Sequence, residues 1–319
     1  MTTAHNKDKG SHDLTSSHAP AARRVTAFSL PVASAACAAS SLSAPAAWAQ
    51  TPPVAQKLPR IVSVSGSTTE IVYALGAEQQ LVGTDTTSLF PLAALQTPKV
   101  GYMRQLSAEG LLSLKPDAVI GTTEAGPTVV MDQIRSAGVR VELVEADHSW
   151  AEVQRKVAAV GRATARMSQA AALQARLDAQ WAEVLASVAR KTGRKPRAIF
   201  ILSHSASPQV AGAQTAAHAM LGFAGLANAL VSAGGFNGYR PMTSEALVAA
   251  APDVIVTTTQ GIEASGGVDK FWSRPGLELT PAYQRRSLVV LDALYLIGFG
   301  PRLPQAVSEL HQAAFKATA

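Results

Sequence analysis

Two stretches of this chain repeat each other. Leu106-Ser107-Ala108-Glu109-Gly110-Leu111 leads to Pro116-Asp117-Ala118-Val119-Ile120, and Met242-Thr243-Ser244-Glu245-Ala246-Leu247 leads to Pro252-Asp253-Val254-Ile255-Val256, 136 residues further on. Pro59-Arg60-Ile61-Val62 is echoed by Pro196-Arg197-Ala198-Ile199 at an interval of 137 residues. Two echoes at nearly the same interval specify two lobes of similar construction. They pair Glu109 with Glu245 and Arg104 with Arg240.

Each lobe carries short apolar runs bounded by turn residues and alternating with helical patterns. Strands are expected at Arg60–Val64, Leu81–Gly83, Ala118–Ile120 and Val141–Val144, with helices after Gly66, from about Ser107 to Leu114, and around Thr128–Ala137. Ser67 or Thr68 can cap the helix after Gly66, with Glu70 near its third position. This alternation predicts a parallel sheet covered on both faces. From Ser149 to about Lys191 the chain turns helical, with Leu173, Leu177, Trp181, Val184, Leu185 and Val188 at helical spacing and Gly161 as a dividing point. The alternation then restarts at Pro196. The fold class is therefore α/β, two Rossmann-like lobes joined by one long helix. The lobes span 50–148 and 193–319, the helical segment spans 149–192, and a leader occupies 1–49.

The leader reads as an export signal. Arg23-Arg24 precede a small apolar run from Val25 to Ala39, and Ala47-Trp48-Ala49 offers a cleavage site. The run is too short and too rich in alanine for a membrane span. The chain's one cysteine, Cys37, lies inside it, so cleavage after Ala49 leaves a protein without thiol chemistry. Lipid attachment at Cys37 is the less favoured alternative, because Ser34 stands where a leucine is expected. The expected location is the periplasm. Net charge is +6, with no long basic run, and aromatic residues are 5%, which argues against a nucleic-acid partner.

Ligands of open α/β sheets bind outside the carboxyl ends of the strands, so two facing lobes would share a cleft. Tyr102 and Arg104 would enter it from the first lobe and Tyr239 and Arg240 from the second. If Gly101–Arg104 is extended, the phenol and the guanidinium leave one face. A phenol titrates near about 10, and a neighbouring guanidinium favours its ionised form. Tyr102 is thus a candidate oxygen ligand for ferric iron, and the arginines suit carboxylates. Glu109 and Glu245 each start a helix, where the dipole alone favours an acid. A matched pair of exposed acids can also dock onto a symmetric dimer with two basic sockets.

The segments Lys99–Gly110, Ala211–Met220, Gly238–Leu247 and Gly298–Arg302 together resemble haem-binding members of the periplasmic substrate-binding proteins that serve haem, cobalamin and siderophore ABC importers. The resemblance runs from about Arg60 to Leu310. It implies two lobes bridged by a long helix, with Tyr102 as axial ligand to haem iron and Arg104 close to that phenolate. It also implies Glu109 and Glu245 as docking acids for an inner-membrane permease dimer with its ATPase, with an outer-membrane haem receptor system upstream and no catalytic turnover. The alternative cargo within this fold is a ferric siderophore or a corrinoid. His204, just after a strand of the second lobe, is a candidate second axial ligand or a polar cleft residue. Ser203-His204-Ser205 lacks a Gly-x-Ser-x-Gly elbow and an evident acid, which weighs against a hydrolase. No His-x-x-x-His or paired-cysteine pattern points to zinc.

Overall fold

The runs Ile61–Ser63, Ala118–Thr122 and Val254–Thr258 are buried throughout, as strands covered by helices on both faces must be. The structure, a computed structural model, describes residues 57–203 and 207–319. The leader with Cys37, and His204 with Ser205, lie outside the described residues. In the first lobe β1 (Ile61–Ser63), α1 (Gly66–Ala74), β2 (Leu81–Thr84), α2 (Ala108–Ser113), β3 (Ala118–Thr122), α3 (Thr128–Ser136) and β4 (Arg140–Val144) alternate as expected. The strands lie in the order β2-β1-β3-β4, all pairs parallel. Ile61 and Ile120 face one core and their neighbours Val62 and Val119 the other, the two-residue period of a strand.

The helical segment is two helices, α4 (Trp150–Ala163) and α5 (Met167–Ala189). The break falls at Thr164–Arg166, not at Gly161. Gly161 stays inside α4, where a Cβ would come within 2.5 Å of the Ala170 Cβ, so the missing side chain lets α4 and α5 pack closely. α5 is the longest helix among the described residues and belongs to both lobes. Its Leu173 and Leu177 are buried with Ile61, Ile71 and Ile120, while its Trp181 and Val184 are buried with Phe200, Val254 and Leu310. Each such buried side chain contributes about 1.5–3 kcal/mol. At the junction Trp150 stacks on Trp181 with centroids 4.7 Å apart, and the Trp150 indole donates to Asp178 at 2.8 Å.

The second lobe contains β5 (Arg197–Leu202), β6 (Gln209–Ala211), α6 (Ala216–Phe223), β7 (Ala227–Asn228), α7 (Ala229–Ser232), β8 (Tyr239–Pro241), α8 (Ser244–Ala250) and β9 (Val254–Thr258). It continues with α9 (Thr259–Ala264), α10 (Val268–Trp272), α11 (Pro281–Arg285), β10 (Leu288–Leu291), α12 (Ala293–Ile297) and α13 (Leu303–Ala317). The order is β10-β9-β5-β6-β8, with β7 also on β5. Here the sheet is mixed. β10, β9, β5 and β7 are parallel, but β6 runs antiparallel to both β5 and β8. The connection from β5 to β6 is too short for a crossover helix, so the chain must return antiparallel. Tyr239 and Arg240 therefore sit on an edge strand.

The echo read from the sequence is a structural repeat. Ser107 caps α2 by accepting from the Gly110 N–H, and Thr243 caps α8 by accepting from the Ala246 N–H. Asp117 accepts from the Arg60 N–H at 2.8 Å, and Asp253 from the Arg197 N–H at 2.8 Å. The cap expected for α1 is different. Ser65 occupies the cap position without a side-chain capping bond to the helix backbone, and Ser67 and Thr68 are buried within the helix. Glu70 reaches instead across the lobes, where the Arg302 guanidinium donates to both its oxygens at 2.8 and 2.6 Å. Burial pushes the Glu70 carboxyl above its usual value, against the pull of Arg302. A second link is fully buried. Lys156 of α4 pairs with Glu152 at 2.5 Å and donates to the Phe299 and Gly298 carbonyls at 3.1 and 3.3 Å. The Gly298–Arg302 segment thus receives both inter-lobe links.

Candidate functional site

The first-lobe half of the site is built on backbone bonds around the carboxyl end of β2. The Val100 N–H donates to the Thr84 carbonyl and the Thr86 N–H to the Gly101 carbonyl, each at 2.9 Å. Lys99 fastens the loop from beneath, donating to Thr84 Oγ1, the Ser88 carbonyl and the Ala94 carbonyl. Gly101 takes φ of +101°, a conformation that side chains resist. The Gln105 N–H then donates to the Tyr102 carbonyl at 2.8 Å. The segment is a tight turn, so the extended backbone expected from the sequence is not what brings phenol and guanidinium together. They come within interaction range of each other across the turn. Tyr102 is 43% exposed, so a ligand can reach it.

A residue that no motif announced completes this half. The Gly126 N–H donates to the Met103 carbonyl, and the Leu106 N–H to the Gly126 carbonyl, both at 2.9 Å. These bonds pin the loop after β3 against the Tyr102 turn and set Glu124 in an ion pair with Arg104. Arg104 thus lies between a carboxylate and a phenol. Burial works against its charge, but the bonds and charges of Glu124 and then Tyr102 prevail and hold it above its usual value.

Tyr239, on β8 of the second lobe, comes within electrostatic range of Glu124 and Arg104. Burial first, and then the Glu124 charge, push its phenol up to about 12, against Arg104. It is therefore a neutral O–H donor at neutral pH. In the first lobe Arg104 thus lies beside Glu124 and Tyr102, and Tyr239 of the second lobe is within electrostatic range of Arg104 and Glu124. Arg240 follows Tyr239 on the strand, is exposed, and lies over the Phe236 ring at 4.7 Å. Glu109 and Glu245 are exposed in the first turns of α2 and α8. Among the described residues no helix is long and apolar enough to cross a membrane, and no cluster of His, Cys, Asp or Glu could hold a metal.

A family model for periplasmic binding proteins matches residues 61–295. This chain belongs to that family. Among solved structures, this periplasmic binding protein is similar to the periplasmic heme-binding protein BhuT in complex with two hemes. The identity is 42% and the TM-score 0.77, covering 82% of this chain and 99% of that one. It is also similar to the apo periplasmic heme-binding protein RhuT from Roseiflexus sp. RS-1, at 39% identity and TM-score 0.78, covering 82% and 100%. Curated relatives include an ABC transporter substrate-binding lipoprotein of Bacillus subtilis, 29% identical over 81% of each chain. A cobalamin-binding protein of Halobacterium salinarum is 24% identical over 81% of this chain and 70% of its own. These two solved structures are thus of heme-binding proteins, while the sequence relatives include a cobalamin-binding protein.

The Glu124 charge makes a measurable claim on Tyr239. In Glu124→Gln the Tyr239 phenol is expected to titrate below about 12, because the raising carboxylate is gone and Arg104 remains. An alkaline near-ultraviolet titration, with Tyr239→Phe to assign the signal, reads the shift. An unchanged titration would place Glu124 out of range.

Proposed function

We propose that this periplasmic binding protein carries haem in the cleft between its lobes, holds the iron through the Tyr102 phenolate, and delivers the haem to an inner-membrane ABC permease. The observation that carries the reading is the Tyr102 turn. It presents an accessible phenol with a guanidinium beside it, and a second-lobe phenol that stays neutral lies within range of that guanidinium. A phenolate is a hard anionic donor suited to ferric iron, and tyrosinate-ligated haem is a known ligation type. A siderophore already saturates its iron and needs no such ligand. Arg104 would stabilise the phenolate, and Tyr239 would donate its O–H to an anionic edge of the cargo. The similarity to heme-binding proteins along 82% of the chain supports the same reading. In this reading residues 1–49 are the export signal, 50–148 and 193–319 the lobes, and 149–192 their connection. The mature protein is soluble in the periplasm and performs no catalytic turnover. His204 remains the candidate second axial ligand.

The decisive experiment is a visible absorption titration of the purified mature protein with hemin, in competition with cyanocobalamin. Saturable hemin binding that cyanocobalamin does not displace is the expected result. Saturable binding of cyanocobalamin alone would give the cargo to the corrinoids, the reading that the cobalamin-binding relative favours.

Delivery has its own test. Glu109 and Glu245 each lie in the first turn of a capped helix at equivalent points of the repeat. The double variant Glu109→Ala, Glu245→Ala is expected to bind hemin as wild type does and to lose ATP hydrolysis stimulated in the reconstituted transporter. Full stimulation by the double variant would remove the docking role.

A further inference from the structure

The carboxyl edge of the second sheet holds a cation that the cargo reading has not used. Arg274 follows α10 and turns back to that edge. Its Nη1 donates to Ser203 Oγ at 2.7 Å and its Nη2 to Ser265 Oγ at 2.9 Å. Ser203 is the residue after β5 and is 1% exposed. Ser265 follows α9 and gives its own proton to the Gly261 carbonyl at 2.5 Å. Ser203 accepts from Arg274. The guanidinium lies over the buried Phe271 ring at 5.5 Å. No carboxylate among the described residues pairs with it, in contrast to Arg104, Arg194 and Arg302. A half-buried arginine fixed by two neutral hydroxyls keeps its charge and several N–H donors free.

The edge is the right one for a ligand. A Cβ at Gly276 would come within 2.7 Å of the Ser244 Cα, so the Arg274–Gly276 turn abuts the start of α8, just after Tyr239–Pro241. We propose that Arg274, held by Ser203 and Ser265, forms an anion subsite at the carboxyl edge of the second lobe and binds a carboxylate of the cargo. The inference rests on the haem reading for the identity of that carboxylate, a propionate of the porphyrin. Arg274 supplies charge-assisted N–H donors to one or both oxygens, and the buried Ser203 hydroxyl holds the guanidinium in place. Burial alone acts on the Arg274 charge and holds it below its ordinary value, the condition an incoming anion would relieve. The subsite is separate from Arg104, whose charge Glu124 already neutralises, and from Arg240, which lies over Phe236.

The test compares hemin with hemin dimethyl ester, whose carboxylates are blocked, on wild type and on Arg274→Gln, which keeps donors for both serines. The variant is expected to bind hemin about tenfold more weakly, as loss of a charged hydrogen bond implies, and the ester equally well. Equal weakening of both ligands, or of neither, overturns the subsite. A second readout does not depend on iron. Succinate is expected to raise the melting temperature of wild type and not of Arg274→Gln. If wild type shows no saturable hemin binding, the haem reading falls and this second readout decides the subsite alone. Equal melting shifts in both proteins overturn it.

Discussion

Tyr102→Phe is expected to lower hemin affinity about a hundredfold and to abolish the phenolate-to-iron band in the visible spectrum. Loss of an outer-shell partner of a metal ligand already costs about 10- to 100-fold, so loss of the ligand itself belongs at or beyond the upper end. Phenylalanine keeps the ring and removes only the oxygen. The turn should survive, because its bonds are backbone bonds between Tyr102 and Gln105 and between Met103 and Gly126. An isothermal titration beside the absorption spectrum separates affinity from ligation. If affinity and spectrum are both unchanged, Tyr102 is not the ligand, and the reading built on this turn fails with it. Tyr239→Phe, by contrast, should leave the band in place, since its phenol stays protonated in an environment that raises it to about 12.

The second large effect is on stability. Lys156→Met is expected to destabilise the fold by about 3–5 kcal/mol, the cost of breaking a buried pair by removing one partner. Lys156 is fully buried, and burial pulls its ammonium below the usual value against the opposing pull of Glu152. Methionine fills the space but leaves the Glu152 carboxylate without its cation and the Gly298 and Phe299 carbonyls without their donor. Urea unfolding measures the loss. Glu152→Gln added to Lys156→Met should return part of it, because the orphaned charge is gone. The His148 N–H, which donates to the Glu152 carboxylate at 2.6 Å, would still find an acceptor in the amide oxygen of the substituted side chain. A change below about 1 kcal/mol in the single variant would mean that the pair contributes no more than an exposed one.

The elements and the repeat were legible because their signals are local. The repeated Leu106–Leu111 and Met242–Leu247 stretches coincide with α2 and α8, and Pro116-Asp117 and Pro252-Asp253 lead into β3 and β9. What was missed depends on residues far apart in the chain. Glu70 stands where a capping acid would, yet its partner Arg302 is 232 residues away. Ser67 and Thr68 look like caps, but α1 begins against the sheet. There Thr68 bonds to Ser63 at 2.8 Å and Ser67 to Ser65 at 2.9 Å, so their hydroxyls face a buried polar network. Glu124 is one acid in a loop with no pattern around it, and only the backbone bonds between Gly126 and the Tyr102 turn bring it to Arg104. The mixed second sheet could not be read from apolar runs, since a parallel and an antiparallel strand share one pattern of burial. Arg274 was passed over for the same reason as Glu124. Its meaning lies in the absence of a nearby acid, and sequence spacing cannot show that.

The division of α5 between two cores has a consequence for how the molecule comes apart. Leu173 and Leu177 cannot leave the first core without dragging Trp181 and Val184 from the second, because one rigid rod carries all of them. Unfolding that starts in either half therefore propagates through the rod. Heat or denaturant should meet one cooperative object and a single melting transition, despite the duplicated architecture. A gene fragment ending before Met167 would leave the Ile61–Ile71 core open along one side. The repeat therefore records two similar designs and not two pieces that can live apart.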